Sequence, residues 1–302
     1  MFDLHLPIAD VTISALIPLA VGGGIGVLSG LLGVGGGFLL TPLLLLIGIP
    51  PTVAVATGPM PVAASSVSGA MVHFQRGNVD MLMAAVLTAG GLVGALIGVR
   101  LLVLLRAVGQ VDVVVGLCYV ILLGTLGLLM LAESLRALRR RQGGRAMVRK
   151  PHRHFWIHNL PLKLRFRRSK LYISALLPLS VGLMVGVLTA IMGVGGGFIM
   201  VPAMIYVLGM PTATTVGTSL LQIAVTSSAT TVLQATSTQG VDLMLGVLLA
   251  GASVIGAQFG ARLGTRIPGE KLRALLALLV LGVCLQVAYG LVVPPADPFS
   301  TD

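Results

Sequence analysis

A chain of 302 residues in which 56% of the side chains are hydrophobic and only 10% are charged has more apolar surface than a water-soluble core can bury. The net charge of +11 does not indicate nucleic-acid binding, because 13 of the 20 Lys and Arg residues lie between Arg136 and Lys170, with no Asp or Glu among them. Composition therefore predicts an all-α polytopic membrane protein with one basic loop and no nucleic-acid partner.

Apolar segments follow one another along almost the whole sequence. The first is an arm that starts near Val11 and runs to a glycine-rich GVGGG break, and a short apolar arm at 38–49 comes after it. The longer segments that follow can each cross about 30 Å of hydrocarbon as a helix. We predict three of these in each half, at 53–73, 80–104 and 111–135, and at 213–236, 242–264 and 272–293.

The second half of the chain repeats the first. Residues 14–38 and 174–198 are identical at 16 of 25 positions, and both stretches end in GVGGGF. The match continues further along both halves, where VATG corresponds to VGTS and Asp80 corresponds to Asp242. The two halves therefore hold the same parts in the same order. The predicted organisation is two homologous transmembrane repeats with a basic linker between them, at 1–135, 171–302 and 136–170.

The short arm at 38–49, like its copy at 198–209, would be only about 18 Å long as a helix, which is too short to cross a bilayer comfortably. Each repeat is therefore predicted to hold a glycine-tipped hairpin, re-entrant or broken, followed by three transmembrane helices. This odd number of crossings inverts the second repeat relative to the first. The inverted arrangement puts 18 of the 20 Lys and Arg residues on one side of the membrane, whereas the best parallel arrangement puts 14 there.

The positive-inside rule assigns that basic side to the cytoplasm. The linker at 136–170 is then expected to be cytoplasmic and to lie near anionic lipid head groups, with both termini on the opposite side. Inverted repeats place two hairpins of opposite direction around a pseudo-two-fold axis near the bilayer midplane, where secondary transporters commonly bind their substrate.

Each GVGGG break is predicted to bind a small anion through the backbone. The glycines remove side chains just before a helix that starts near Phe38 or Phe198, so free N–H groups and the positive end of the helix dipole would face a cavity. The alternative is that the glycines only permit a tight turn and close helix packing. The candidate substrate-binding glycines are Gly35, Gly36, Gly37, Gly195, Gly196 and Gly197.

Hydroxyl and amide side chains on the next helix are further candidates, because they can donate to a ligand oxygen without burying a charge. Thr57 and Thr218 are favoured since they occupy matching places in the repeat, and Ser219 and Gln222 follow directly. Other hydroxyls nearby include Ser66 and Ser227, although Ser and Thr often bond only to their own helix. Asp80 and Asp242 are predicted to cap the helices that they precede.

These motifs carry a family resemblance. The sequences GVGGGF, GIP and VATG in the first half, and GVGGGF, GMP and VGTSLLQ in the second, resemble the sulfite exporter TauE/SafE family of bacterial membrane transporters. The resemblance implies multi-pass insertion in a bacterial inner membrane, and the charge distribution described above then puts both termini in the periplasm. It also implies a small anionic substrate such as sulfite, sulfoacetate or another organosulfonate. Gly58 departs from the serine form of the motif, which puts equal roles for the two halves in question.

Two other classes stay open. An anion channel would use the same electropositive midplane, and the coupling ion of a carrier, H+ or Na+, has no assigned carboxylate within a span. A membrane redox protein would use Cys118 and Cys284, which lie in corresponding last helices. Because the sequence offers no catalytic constellation and no cluster of metal ligands, we predict no enzyme activity, no cofactor and no metal.

Overall fold

The computed structural model describes residues 3–32, 37–142, 162–166, 168–264 and 269–292, and most of them are helical. Two short β-hairpins accompany the helices. The strands are β1 (Asp3–Leu6), β2 (Val11–Ser14), β3 (Lys163–Phe166) and β4 (Leu171–Ser174). The helices are α1 (Leu16–Leu32), α2 (Gly37–Leu46), α3 (Pro51–Thr57), α4 (Pro59–Gln75), α5 (Met81–Ala107), α6 (Val111–Gln142), α7 (Leu176–Met192), α8 (Gly197–Tyr206), α9 (Thr212–Ser237), α10 (Leu243–Gly264) and α11 (Gly269–Val292).

Three helical stretches among the described residues are long and apolar enough to cross a membrane: Met81–Ala107, Thr214–Ser237 and Leu243–Gly260. They belong to α5, α9 and α10. This agrees with the predicted class of helical membrane protein. The helices α6 and α11 also lie where long apolar segments were predicted, and α6 continues to Gln142, beyond the predicted end at 135.

The β-hairpins correct the expectation of an all-α chain. Strand β1 pairs antiparallel with β2 and β3 with β4, in the same register 160 positions apart: Leu6 faces Val11, and Phe166 faces Leu171. The segments VTIS and LYIS, which the apolar pattern assigned to the first apolar arm of each repeat, contain the β-branched and aromatic residues that favour strands. The hairpins are missed because four-residue strands give too short an alternation to stand out beside long apolar helices.

A second correction concerns the segment predicted as one helix at 53–73. It consists of α3 and α4, separated at Gly58, whereas the matching segment of the second half is the unbroken helix α9. Pro59 and Pro61 lack the N–H groups that an intact helix would donate to the carbonyls four residues earlier. Gly58 keeps helical dihedrals of φ −50° and ψ −43°, so the chain continues with a local loss of hydrogen bonding and no change to another conformation.

Two helix pairs approach closely through glycine. Gly22 and Gly26 of α1 face Leu249 and Ser253 of α10, and a Cβ atom at Gly26 would lie 2.7 Å from the Ser253 Cα. Gly182 and Gly186 of α7 face α5 in the same way, against Leu87 and Gly91. Contact positions increase together along both members of each pair, so the helices in each pair are parallel. Glycine at these places lets the two backbones touch, which strengthens dispersion contacts in a lipid environment.

The helices α4 and α9 run in opposite directions along each other. Gly69 of α4 contacts the side chain of Leu220, and one turn later in α4, His73 lies against Gly217, which comes earlier in α9. A Cβ atom at Gly217 would lie 2.9 Å from the Cβ atom of His73. Since α4 and α9 are corresponding segments of the sequence repeat, this segment runs in opposite directions in the two halves.

The chain forms two compact units, both of which draw on both halves of the sequence. The first unit comprises Met1–Leu105 and Arg149–Arg266, and therefore holds the hairpins, α1 to α4, α7 to α10 and nearly all of α5. The second comprises Arg106–Val148 and Ile267–Asp302, where α6 and α11 pack together. Within it, the Cys284 thiol donates to the Val120 carbonyl over 3.4 Å, and neither cysteine forms a disulfide.

Candidate functional site

The glycine break of the second half is a buried turn between two helices of the first unit. Helix α7 ends at Met192, and Gly193 follows as a left-handed C-cap with φ 70° whose N–H donates to the Thr189 carbonyl over 2.9 Å. Gly195 and Gly196 also have positive φ values, of 71° and 70°. Only glycine adopts this run of conformations without strain, which is the reason for the sequence GVGGG. Residues 191–200 are all buried.

Helix α8 begins in this turn at Gly197, with Gly196 as its N-cap and no side chain bonded to its first turn. The first N–H groups of an α-helix have no acceptor inside the helix, and they carry the positive end of its dipole. Among the side chains that the structure describes, the only buried charged ones are Asp80 and Asp242. An anion at the start of α8 would therefore be held by neutral groups, without a buried cation.

The corresponding break of the first half falls at residues 33–36, so the predicted site residues Gly35 and Gly36 lie outside the described residues. Gly37 is described: it starts α2, is buried, and contacts the carbonyl oxygen of Val194 in the opposite turn. The side chain of Val62 touches both Gly37 and Gly195. The starts of α2 and α8 thus meet around one valine.

Aromatic contact joins the same two helix starts. The rings of Phe38 and Phe198, which follow the glycines directly, have centroids 5.3 Å apart and planes tilted by 36°. An offset or tilted pair at this separation is an attractive geometry. The structure thereby places Gly37 close to the turn that contains Gly195, Gly196 and Gly197.

Thr57 and Thr218 lie at corresponding places, but each has a partner in the protein. The backbone N–H of Asp242 donates to the Thr57 hydroxyl oxygen and that of Asp80 to the Thr218 hydroxyl oxygen, both over 3.0 Å. Both threonines are fully buried. Thr57 thus accepts a hydrogen bond from the residue that precedes α10, and Thr218 accepts one from the residue that precedes α5.

The two aspartates cap helices, as predicted. The Asp80 carboxylate accepts from the Met83 N–H over 3.2 Å, and the Asp242 carboxylate accepts from the Leu245 N–H over 3.1 Å. Each carboxylate also binds a β-hairpin: Ser169 donates to Asp80 from its N–H over 2.9 Å and from its hydroxyl over 2.8 Å. Ile8 donates its N–H to Asp242 over 3.2 Å.

The remaining predicted residues lie on α9. Ser219 donates its hydroxyl to the Val216 carbonyl of its own helix over 3.0 Å. Gln222 donates to the Thr226 hydroxyl over 2.9 Å, while its side-chain oxygen has no hydrogen-bond partner within the described part of the chain. The Gln222 amide nitrogen and the Thr226 hydroxyl oxygen both face Gly91 of α5, where a Cβ atom would lie 2.8 Å from the Thr226 oxygen. Gln222 is thus a buried amide with spare hydrogen-bonding capacity.

Two serines deserve more weight than the sequence interpretation gave them. The hydroxyls of Ser66 and Ser227 are fully buried and have no partner among the described residues. They are 161 positions apart, the same separation as Thr57 and Thr218. The rule that singled out the threonines, matching places in the repeat, would have singled out these serines as well.

The comparisons with known proteins identify a family and relatives of this chain. The family model described as sulfite exporter TauE/SafE matches residues 18–287. A "Probable membrane transporter protein" of Xylella fastidiosa (strain 9a5c) is 30% identical over 280 residues, which are 91% of this chain and 95% of the relative. The "Probable membrane transporter protein YjnA" of Bacillus subtilis (strain 168) is 28% identical over 260 residues, or 85% and 93% of the two chains.

No solved structure matched the chain. The family match nonetheless covers both GVGGG segments of the sequence and all but the first two residues of the helices in the first unit. The chain therefore belongs to the sulfite exporter TauE/SafE family of membrane transporters.

Proposed function

We propose that this protein is a secondary transporter that moves small sulfur-containing oxyanions, such as sulfite, sulfoacetate or other organosulfonates, across the bacterial inner membrane. The observation that carries the proposal is the buried turn at Gly193–Gly197, which opens α8 opposite Gly37. Non-helical backbone at membrane depth is tolerated where it is surrounded by protein or lines a cavity, and such turns serve as ion sites in transporters.

The substrate is proposed to bind where the two glycine turns meet, near Val62. An oxyanion there would accept hydrogen bonds from free N–H groups at the starts of α2 and α8, with both helix dipoles favouring its charge. Gln222 would contribute the second N–H of its amide nitrogen, since its unpartnered side-chain oxygen is an acceptor and does not bind an anion. Thr57, Thr218 and Ser219 keep the supporting role that their protein partners give them.

Inversion of the two repeats is part of the proposal. It is supported by the opposite directions of α4 and α9, which are corresponding segments, and by the parallel pairing of α1 with α10 and of α7 with α5. The excess of Lys and Arg in 136–170 then places that linker in the cytoplasm, near anionic lipids, and both termini in the periplasm. The part of the linker at 143–161 lies outside the described residues.

The test is uptake of radiolabelled sulfite into proteoliposomes that contain the purified chain. We expect saturable uptake that sulfoacetate inhibits competitively, with a rate that depends on an imposed gradient of H+ or Na+ if one of them is the coupling ion. Protein-free liposomes give the background. Folded protein that supports no sulfite or sulfonate uptake under any imposed gradient would refute the substrate class.

A further inference from the structure

The two unpartnered serines, Ser66 on α4 and Ser227 on α9, are exceptional in a membrane protein. Both side chains are fully buried, and neither hydroxyl has a hydrogen-bond partner within the residues that the structure describes. A buried hydroxyl without a partner has lost its hydrogen bonds to water and has made none in the protein, which costs free energy. Such groups are therefore rare unless a ligand or water forms the missing hydrogen bond. A pair related by the sequence repeat is harder to attribute to accident than a single case.

Neighbouring residues show that an internal partner was available. Ser65 donates to the Val62 carbonyl over 3.1 Å, and Ser228 donates to the Ala224 carbonyl over 2.8 Å. Thr231 likewise donates to its own helix, at the carbonyl four residues before it. Serine in a helix usually satisfies its hydroxyl in this way. Ser66 and Ser227 do not make this bond.

The Ser227 hydroxyl lies beside a glycine turn. The Ser227 oxygen lies 3.2 Å from the position that a Cβ atom would take at Gly195, so the hydroxyl borders the turn that opens α8. Ser66 follows Val62 by four residues and therefore lies on the same face of α4. Val62 itself contacts Gly37 and Gly195. Ser66 is thus the repeat counterpart of Ser227 and shares a face of α4 with the valine that contacts both helix starts.

We propose that Ser227 and Ser66 are the side chains that bind the oxyanion, each donating its O–H to one oxygen while free backbone N–H groups at the starts of α2 and α8 bind the others. This inference rests on the proposed transport function and names the side chains of that site. A sulfite or sulfonate group suits it because several acceptor oxygens surround one sulfur atom. Neutral hydroxyls bind such a group without a buried cation that would resist release.

The experiment compares Ser66→Ala and Ser227→Ala with Ser65→Ala and Ser228→Ala, adjacent serines whose hydroxyls bond to their own helix. Sulfite uptake into proteoliposomes gives KM and the maximal rate, and thermal unfolding in detergent with and without sulfite gives binding separately. Losing a hydrogen bond to an anion should raise KM about tenfold or more for the first pair and weaken stabilisation by sulfite. The control pair should stay within about twofold.

Thermal unfolding without sulfite separates binding from a structural role. Ser66→Ala and Ser227→Ala remove a hydroxyl that has no protein partner, so their unfolding temperature should not fall below that of the controls. A lower unfolding temperature with unchanged KM would overturn the inference in favour of a structural role. If the wild type takes up sulfite and all four variants share its KM, the inference fails alone. If the folded wild type neither binds nor transports sulfite, the proposed function fails and the inference with it.

Discussion

Asp80 and Thr218 join the two halves of the chain: the backbone N–H of Asp80 donates to the Thr218 hydroxyl oxygen over 3.0 Å, in a fully buried place. The repeat supplies the reciprocal contact, from the N–H of Asp242 to the Thr57 hydroxyl oxygen, at the same 3.0 Å. Each helix start capped by an aspartate is thereby fixed to a helix of the other half. The repeat aligns Thr57 with Thr218 and Asp80 with Asp242. The hydrogen bonds instead join each aspartate to the threonine of the other half.

Replacing Thr218 with valine keeps the shape of the side chain and removes the acceptor. The Asp80 N–H would then be buried without its partner, which should destabilise the protein by about 1–3 kcal/mol. Thr218→Ser, which retains the oxygen, should cost less, and Thr57→Val should behave like Thr218→Val. Thermal or denaturant unfolding in detergent measures these changes. Equal stability of the valine and serine variants would contradict the role assigned to this hydrogen bond.

The Asp80 carboxylate fixes a β-hairpin as well as capping α5. Since Ser169 donates to it from both the N–H and the hydroxyl, Asp80 and Ser169 should be energetically coupled. A double-mutant cycle of Asp80→Asn and Ser169→Ala should give a coupling energy of about 1 kcal/mol, because residues in direct hydrogen-bond contact are not additive. The cycle of Asp80→Asn with Ser180→Ala, whose hydroxyl bonds to its own helix, should be additive. Additivity of both cycles would argue against the contact.

The first half has glycine at position 58, where the second half has Ser219, and the packing around Gly58 gives a steric reason for this difference. A Cβ atom at Gly58 would lie 2.5 Å from the carbonyl oxygen of Gly193, so Gly58→Ala should displace the glycine turn and cost about 1–3 kcal/mol, as overpacking does. Gly251→Ala is the control, since no atom lies within 4 Å of a Cβ there. Unfolding measurements and sulfite uptake both report on this pair. A Gly58→Ala variant as stable and active as Gly251→Ala would show that the turn is not held so tightly.

The helix α1 contains its own matched pair of glycines. Gly26→Ala would place a Cβ against the backbone of Ser253 and separate α1 from α10, whereas Gly24→Ala meets no atom within 4 Å. We expect Gly26→Ala to lower stability by about 1–3 kcal/mol and Gly24→Ala to leave it unchanged or raise it slightly, because alanine favours helix. Unfolding in detergent would detect the difference. The same cost at both positions would indicate a general effect of helix propensity and no specific packing at Gly26.

Much of the fold follows from sequence because the repeat and the apolar segments are long. The helices fall where apolar segments predicted them, and Asp80 and Asp242 cap the helices that they precede, as expected. The break at Gly58 was marked by a departure from the repeat and by Pro59, yet the apolar pattern continued through it. The β-hairpins escaped prediction because strands of four residues leave little periodicity.

The site was harder to predict because its decisive contacts join residues far apart in sequence. The glycines predicted an anion-binding turn, and the turn at Gly193–Gly197 has the positive φ values and the new helix start that this requires. Thr57 and Thr218 were favoured over Ser66 and Ser227 on sequence grounds that apply equally to both pairs. Only the packing of distant segments shows which hydroxyls already have partners.

Counterflow tests the central claim most directly. Proteoliposomes preloaded with unlabelled sulfite are diluted into a trace of labelled sulfite, with the membrane potential clamped to zero. A secondary transporter binds substrate alternately from each side, so we predict transient accumulation of label above its equilibrium level, abolished when the preload is omitted. Label that only equilibrates, at the same rate with and without the preload, would contradict a carrier and favour an anion channel.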